Sequence, residues 1–139
     1  MALKENEIVE GAIAYFDVDV LHQDKDVVIT GDKIIRDSKN GNQFVCHKID
    51  GDICYWSPLT ASYKFPRLAI SAGWVTNGYG PLGVGKVWLQ DGKNTYRGPK
   101  PSFVAAAIGE HAFDNGRPSL SHEALEKIYE QIDKRGGAR

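Results

Sequence analysis

Cysteine is nearly absent from this sequence. Cys46 and Cys54 are its two thiols in 139 residues, too few for a disulfide scaffold. With Asp50-Gly51 read as a two-residue turn, Cys46 lies opposite Tyr55 and Cys54 opposite His47. The two thiols then point to opposite faces and are expected to stay unpaired and buried. Long apolar runs are also missing: no stretch approaches the roughly 18 residues needed to cross a bilayer. The first residues lack the basic and apolar blocks of a secretory leader. These absences point to a soluble, cytoplasmic protein with no membrane partner. Metal-ligand spacing is lacking too. His22, His47, His111 and His122 show no i,i+3 or i,i+4 pairing, and neither cysteine stands at zinc spacing, so no metal or other cofactor is expected.

Net charge is small as well, at −1, but it is unevenly distributed. Residues 1–50 sum to −4, residues 51–101 to +4 and residues 102–139 to −1. The basic stretch also holds all three tryptophans (Trp56, Trp74, Trp88) and four of the six tyrosines (Tyr55, Tyr63, Tyr79, Tyr96). Cations interleaved with aromatic rings on strand-like sequence read as a contact face, and Arg67, Trp74, Tyr79, Lys86, Arg97 and Lys100 are its candidate residues. Trp56 and Trp88 are the better core candidates, and Trp74 and Tyr79 the better exposed ones.

The length fits one domain, residues 1–139. Over residues 3–16 the apolar positions Ile8, Val9, Ala12, Ile13 and Phe16 recur at helical spacing, and the spacing predicts a helix with an extended exit. Gly31-Asp32, Asn40-Gly41 and Asp50-Gly51 then separate apolar runs at 27–30, 33–36, 43–49 and 52–56, which reads as an antiparallel meander. Another strand is expected at 67–71, followed by a glycine-rich loop from Gly73 to Gly85. A further hairpin is expected across Asp91-Gly92, with Trp88 facing Thr95. Two helices finish the chain. One starts after Ser102 and runs to about Phe113. The other is capped by Ser121, carries the stripe Leu125, Ile128, Tyr129 and Ile132, and stops at Gly136. Residues 135–139 read as a frayed tail. The fold class is therefore α+β: an N-terminal helix, an antiparallel β-meander of six or seven strands able to curl into a small SH3-like or half-open barrel, and two C-terminal helices.

Several motifs look chemical. Gly80-Pro-Leu-Gly-Val-Gly-Lys86 has phosphate-loop spacing, but Val87 stands where a Ser or Thr should hold magnesium, and a strand follows where a helix should. Gly78-x-Gly80-x-x-Gly83 fails as a dinucleotide fingerprint for want of the same helix. Ala14-Tyr-Phe-Asp-Val-Asp-Val20 resembles the first motif of the haloacid-dehalogenase phosphatases, in which Asp17 and Asp19 would share magnesium. That family needs a doubly wound domain that the all-β middle does not supply.

Gly51-Asp-Ile53, Pro58 and Phe65-Pro-Arg-Leu-Ala-Ile-Ser71 together resemble the opening of the MazF/PemK toxins, SH3-like barrels that cut RNA. The order here is Pro66-Arg67 where that pattern has Arg-Pro. The resemblance implies an RNA-cleaving domain with Arg67 in the place of the catalytic arginine. The residues read for themselves favour a non-enzymatic binding module. Its partner would be a protein, a single-stranded nucleic acid or a small molecule, and a homodimer is compatible with open sheet edges.

Overall fold

The computed structural model describes residues 3–36, 41–62, 64, 67–76, 87–108 and 117–139. Its elements are a 3₁₀ turn at Glu5–Glu7, β1 (Ile13–Phe16), α1 (Val18–Gln23), β2 (Val28–Thr30), β3 (Asn42–Asp50), β4 (Ile53–Thr60), β5 (Ala69–Ile70), a second 3₁₀ turn at Ala72–Trp74, β6 (Val75–Thr76), β7 (Val87–Leu89), β8 (Thr95–Pro99), α2 (Lys100–Ala106), β9 (Ser119–Leu120) and α3 (His122–Arg135). The architecture is α+β, as the patterning implies. Seven antiparallel strands form the main sheet, and β6 and β9 make a second, two-stranded sheet. Among the described residues no helix is long and apolar enough to cross a membrane.

The first helix lies later than the periodicity places it. Gly11 breaks the helical reading: its φ is +93°, and a Cβ there would meet the Leu120 carbonyl oxygen at 2.6 Å. Its amide donates to the Cys46 carbonyl and its carbonyl accepts from Leu120, so the backbone is committed to neighbours on both sides. Ile13–Phe16 then pairs with β3 as an edge strand, which residues 107–108 and 117–120 cover in turn. The helix forms only after Asp17, whose carboxylate accepts from the Asp19 amide at 3.0 Å.

Three expected hairpins are absent. Residues 33–36 form no strand, so the pairings expected on either side of them, across Gly31-Asp32 and Asn40-Gly41, are both missing, and β2 pairs instead with β8. Past Gly31, the Asn94 side chain accepts from the Asp32 amide and the Tyr96 hydroxyl from the Ile34 amide, diverting the chain from a hairpin. Nor do β7 and β8 pair with each other: both lie along one side of β4, with Trp56 opposite Tyr96 and Leu59 opposite Leu89. Two residues of β4 thus face six on the other side, and Gln90–Asn94 loops out as an excursion that docks on the end of α3. Trp88 faces Thr60 and Ala69, not Thr95. Asn40 of the Asn40-Gly41 turn lies outside the described residues.

The β3–β4 hairpin is present with a shifted register. Asp50 pairs with Ile53, which makes Gly51-Asp52 the turn, and an irregularity leaves His47 without a partner in the ladder. The shift brings Cys46 and Cys54 onto one face, where both are buried and free in the same apolar cluster. Burial pushes both thiols up, Cys54 to about 11, so neither is a thiolate near neutral pH.

The sheet separates two cores. On one face Phe16 is the hub, with ring centroids 4.8 Å from Trp56, 5.3 Å from Phe103 and 5.4 Å from Phe44. On the other face α3 lays Leu125, Ile128 and Ile132 over Ile13, Val45, Leu59 and Leu89. Ser121 caps α3 by accepting from the Ala124 amide at 3.3 Å, and the helix ends at Gly136.

Candidate functional site

Arg67 follows the loop after β4 and precedes β5, at the point where the Leu68 carbonyl accepts from the Leu89 amide at 2.8 Å. Its Nε donates to the Gln90 carbonyl at 2.9 Å and its Nη1 to the Ser62 carbonyl at 2.8 Å. Two of its five donors thereby hold the guanidinium in place across the end of β7. No carboxylate among the described residues pairs with it. It borders a pocket of about 110 Å³, open to solvent, whose wall continues through Leu68, Leu89, Gln90, Asp91, Gly92, Gln131 and Arg135.

The 90–94 excursion supplies the far wall. The Asp91 carboxylate accepts from the Lys93 amide at 3.0 Å and from Arg135 at 3.2 and 3.3 Å. Burial pushes this carboxyl up, but the Arg135 and Lys93 bonds outweigh it and hold Asp91 below its ordinary value. Gly92 sits against the α3 backbone, where a Cβ would collide with the Gln131 carbonyl. The pocket therefore offers one uncompensated cation, one ion pair, two amide side chains and an apolar floor.

The other sequence candidates lie elsewhere. Trp74 is half-buried against the α3 core, and its carbonyl accepts from the Ser121 amide. Arg97 is exposed on β8, and half-buried Lys100 begins α2, its amide donating to the Asp52 carbonyl. Tyr79 and Lys86 lie outside the described residues, as do both glycine-rich look-alikes. Trp56 and Tyr96 are fully buried and Tyr55 is 8% exposed, so these rings serve the core and present no stacking surface. Asp17 and Asp19 do not form a metal pair. Arg36 Nη1 lies 3.4 Å from one and 3.5 Å from the other, and Asp17 is the helix cap. Among the described residues no cluster of His, Cys, Asp and Glu could hold a metal ion.

The sequence reading missed one buried polar chain. His47 Nε2 donates to the Ala138 carbonyl at 2.9 Å, so Nδ1 is the acceptor for the Ser57 hydroxyl at 2.8 Å. The Tyr129 hydroxyl donates to the His47 carbonyl. Ser57 and His47 resemble a nucleophile and its base by residue type. Both are fully buried, however, and the third member is a backbone carbonyl where a hydrolase needs a carboxylate. The arrangement clamps residues 136–139 onto the sheet, with the Ala138 amide donating to Thr95 Oγ1 at 2.9 Å and Arg139 lying over the Tyr129 ring. The tail is thus docked where fraying was expected.

Gly137 leaves no room in this clamp: a Cβ would strike the Gly92 carbonyl oxygen and approach Thr95 Cγ2 to 2.9 Å. Gly137→Ala is expected to destabilise by about 1–3 kcal/mol through this overpacking. It should also speed hydrogen exchange at the Ala138 amide. Unchanged exchange and stability would mean that the tail is not held in this slot.

No family model, curated protein or solved structure matches the chain.

Proposed function

We propose that the chain is a non-enzymatic binding module that holds the anionic end of a small ligand in the Arg67 pocket. The observation that supports this reading is the Arg67 guanidinium. It is fixed by two backbone carbonyls, has no carboxylate partner among the described residues, and borders an open pocket. A guanidinium preorganised in this way suits bidentate recognition of a carboxylate or phosphate. Gln90 and Gln131 can add hydrogen bonds, and Leu68 and Leu89 suit an aliphatic portion of the ligand. The ligand class is therefore a small aliphatic carboxylate or phosphate. The free thiols suit a reducing compartment, consistent with a cytoplasmic setting.

Thermal unfolding in the presence of hexanoate or inorganic phosphate tests the proposal, because a ligand that binds only the folded state stabilises it by about 2.7 kcal/mol at 100 times its Kd. Stabilisation by either ligand should disappear in Arg67→Met and weaken in Gln131→Ala, which keeps the guanidinium anchors. A shift that survives Arg67→Met, or no shift with any anion, would remove the assignment.

A second reading uses the same pocket. The MazF/PemK resemblance would make Arg67 a catalytic arginine, and Asp91 beside it offers a carboxylate. RNA cleavage by the wild-type chain that is lost in Arg67→Ala would favour that reading over the binding module.

A further inference from the structure

The second face of the sheet is covered only in part. The docked tail and its clamp reach Ser57 and Thr95, and beyond them the face opens at the corner built from β3, β4, β8 and β2. There Lys48 lies opposite Tyr55, Tyr55 opposite Arg97, and Arg97 opposite Val28. Directly opposed residues of antiparallel strands share a face, so the four form one row across the sheet. In the next row Ile53 is opposite Pro99. Lys48 Nζ lies 5.2 Å from the centre of the Tyr55 ring. Arg97 is exposed, with Val28 46% and Ile53 36% exposed beside it.

Three properties of this corner converge on one occupant. First, Lys48 and Arg97 form no ion pair among the described residues, whereas Arg36, Lys93, Arg117, Lys127, Arg135 and Arg139 do. Second, Arg97 beside the packed Tyr55 sets two residue types enriched at protein interfaces next to the exposed apolar side chains of Val28 and Ile53. Third, β2 pairs with β8 on one side, and no described strand pairs with its other edge. An open strand edge offers backbone hydrogen bonds to an extended segment.

We propose that this corner docks an extended acidic segment of a partner protein, added as a strand along β2. Alternate side chains of such a strand fall on the face of the row, where carboxylates meet Arg97 and Lys48 and small apolar groups meet Val28. Asp50, exposed at the hairpin end of the same face, lies on the β3 side and away from the docking edge. Tyr55, the aromatic ring of this row, is 8% exposed and has Lys48 over its face, so it leaves no open stacking platform, which favours a peptide over single-stranded nucleic acid.

Fluorescence anisotropy with a labelled peptide of alternating valine and glutamate tests the proposal, with valine–lysine and oligouridylate as comparison probes. The valine–glutamate peptide should bind, more weakly as salt rises, and the valine–lysine peptide should not. Arg97→Glu should weaken binding by about ten-fold or more, and Val28→Glu should act in the same direction. Arg67→Met should leave it unchanged, which separates this surface from the pocket. The proposal is overturned by absent peptide binding, by binding indifferent to Arg97→Glu, or by oligouridylate binding that Arg97→Glu abolishes. A homodimer that sedimentation detects and Arg97→Glu dissolves would overturn it too, because the occupant would then be a second copy.

Discussion

Phe16→Ala is expected to lower the stability of the fold by about 3–5 kcal/mol, near the upper end for a buried aromatic side chain. Phe16 is fully buried at the end of β1, and its ring touches three other aromatic rings. Truncation removes the transfer energy of the ring and leaves a cavity. The surroundings are poorly able to fill it, because Trp56 is also stacked on Phe103 and tied through Nε1 to Cys54 Sγ at 3.1 Å. One tilted and two T-shaped ring pairs are lost as well, each worth about 0.5–1.5 kcal/mol beyond area burial. A loss of that size is a large fraction of the 5–15 kcal/mol typical of a domain, so much of Phe16→Ala is expected to be unfolded at modest urea. Phe16→Leu, which keeps most of the volume, should recover more than half of the loss. Urea unfolding of the three proteins at one temperature gives the comparison. A loss for the alanine variant below about 1.5 kcal/mol would mean that Phe16 is not the hub of this core.

The sequence made legible what local chemistry decides. Ser121 and Gly136 bound α3, and Leu125, Ile128 and Ile132 mark its buried stripe, because caps and 3.6-residue periodicity act within one turn. The β3–β4 hairpin was legible in existence but not in register. Asp50-Gly51 and Gly51-Asp52 both supply acceptable turn residues, and the choice between them rests on which face must bury Cys54 and Trp56. Gly31-Asp32 and Asp91-Gly92 carry the letters of hairpin turns but serve other ends. Gly31 lies against Lys93, and Gly92 against the α3 backbone. A missing Cβ signals a tight turn and a close approach in the same way, and only tertiary structure separates them. The pairing of β8 with both β2 and β4 joins residues distant in sequence, so no local pattern encodes it. At the candidate site, Arg67 was legible as a cation beside a strand. Gln131 and Arg135 enter its pocket from the polar side of a helix more than sixty residues away, and Asp91 was hidden by its part in an apparent turn. The docked tail was illegible for a similar reason, since two glycines among charged residues read as fraying until His47 and Thr95 are seen to hold Ala138.

His47 makes the fold acid-sensitive in a defined window. Its imidazole is fully buried, and burial lowers its pKa from the ordinary value near 6.5 to about 4, despite the bond to the Ala138 carbonyl, which favours the protonated form. The cations Lys48 and Arg139 lower it further, while Ser57 and Tyr129 contribute hydroxyls and no charge. Protonation would put a second N–H against the Ser57 hydroxyl that now donates to Nδ1. Between pH 6.5 and about 4 the unfolded chain holds a proton at this residue that the folded chain rejects. Stability from the neutral imidazole is therefore complete above pH 6.5 and declines as the pH falls to about 4, by about 3 kcal/mol in all. His22, lowered by its own burial and by Lys33, acts in the same direction. Glu7 and Asp91, whose carboxyls are held low, lose their contributions mainly below this window. Urea unfolding from pH 7 to pH 4 should show this slope in the wild type. It should be reduced in His22→Gln and reduced most in His47→Gln, whatever His47→Gln costs at pH 7. A His47→Gln slope equal to that of the wild type would place the acid sensitivity elsewhere. The same titration reports on the tail, because release of residues 136–139 relieves the burial of the imidazole and lets it take up the proton. Release of residues 136–139, read by faster exchange of the Ala138 amide, should therefore accompany the loss of stability as the pH falls.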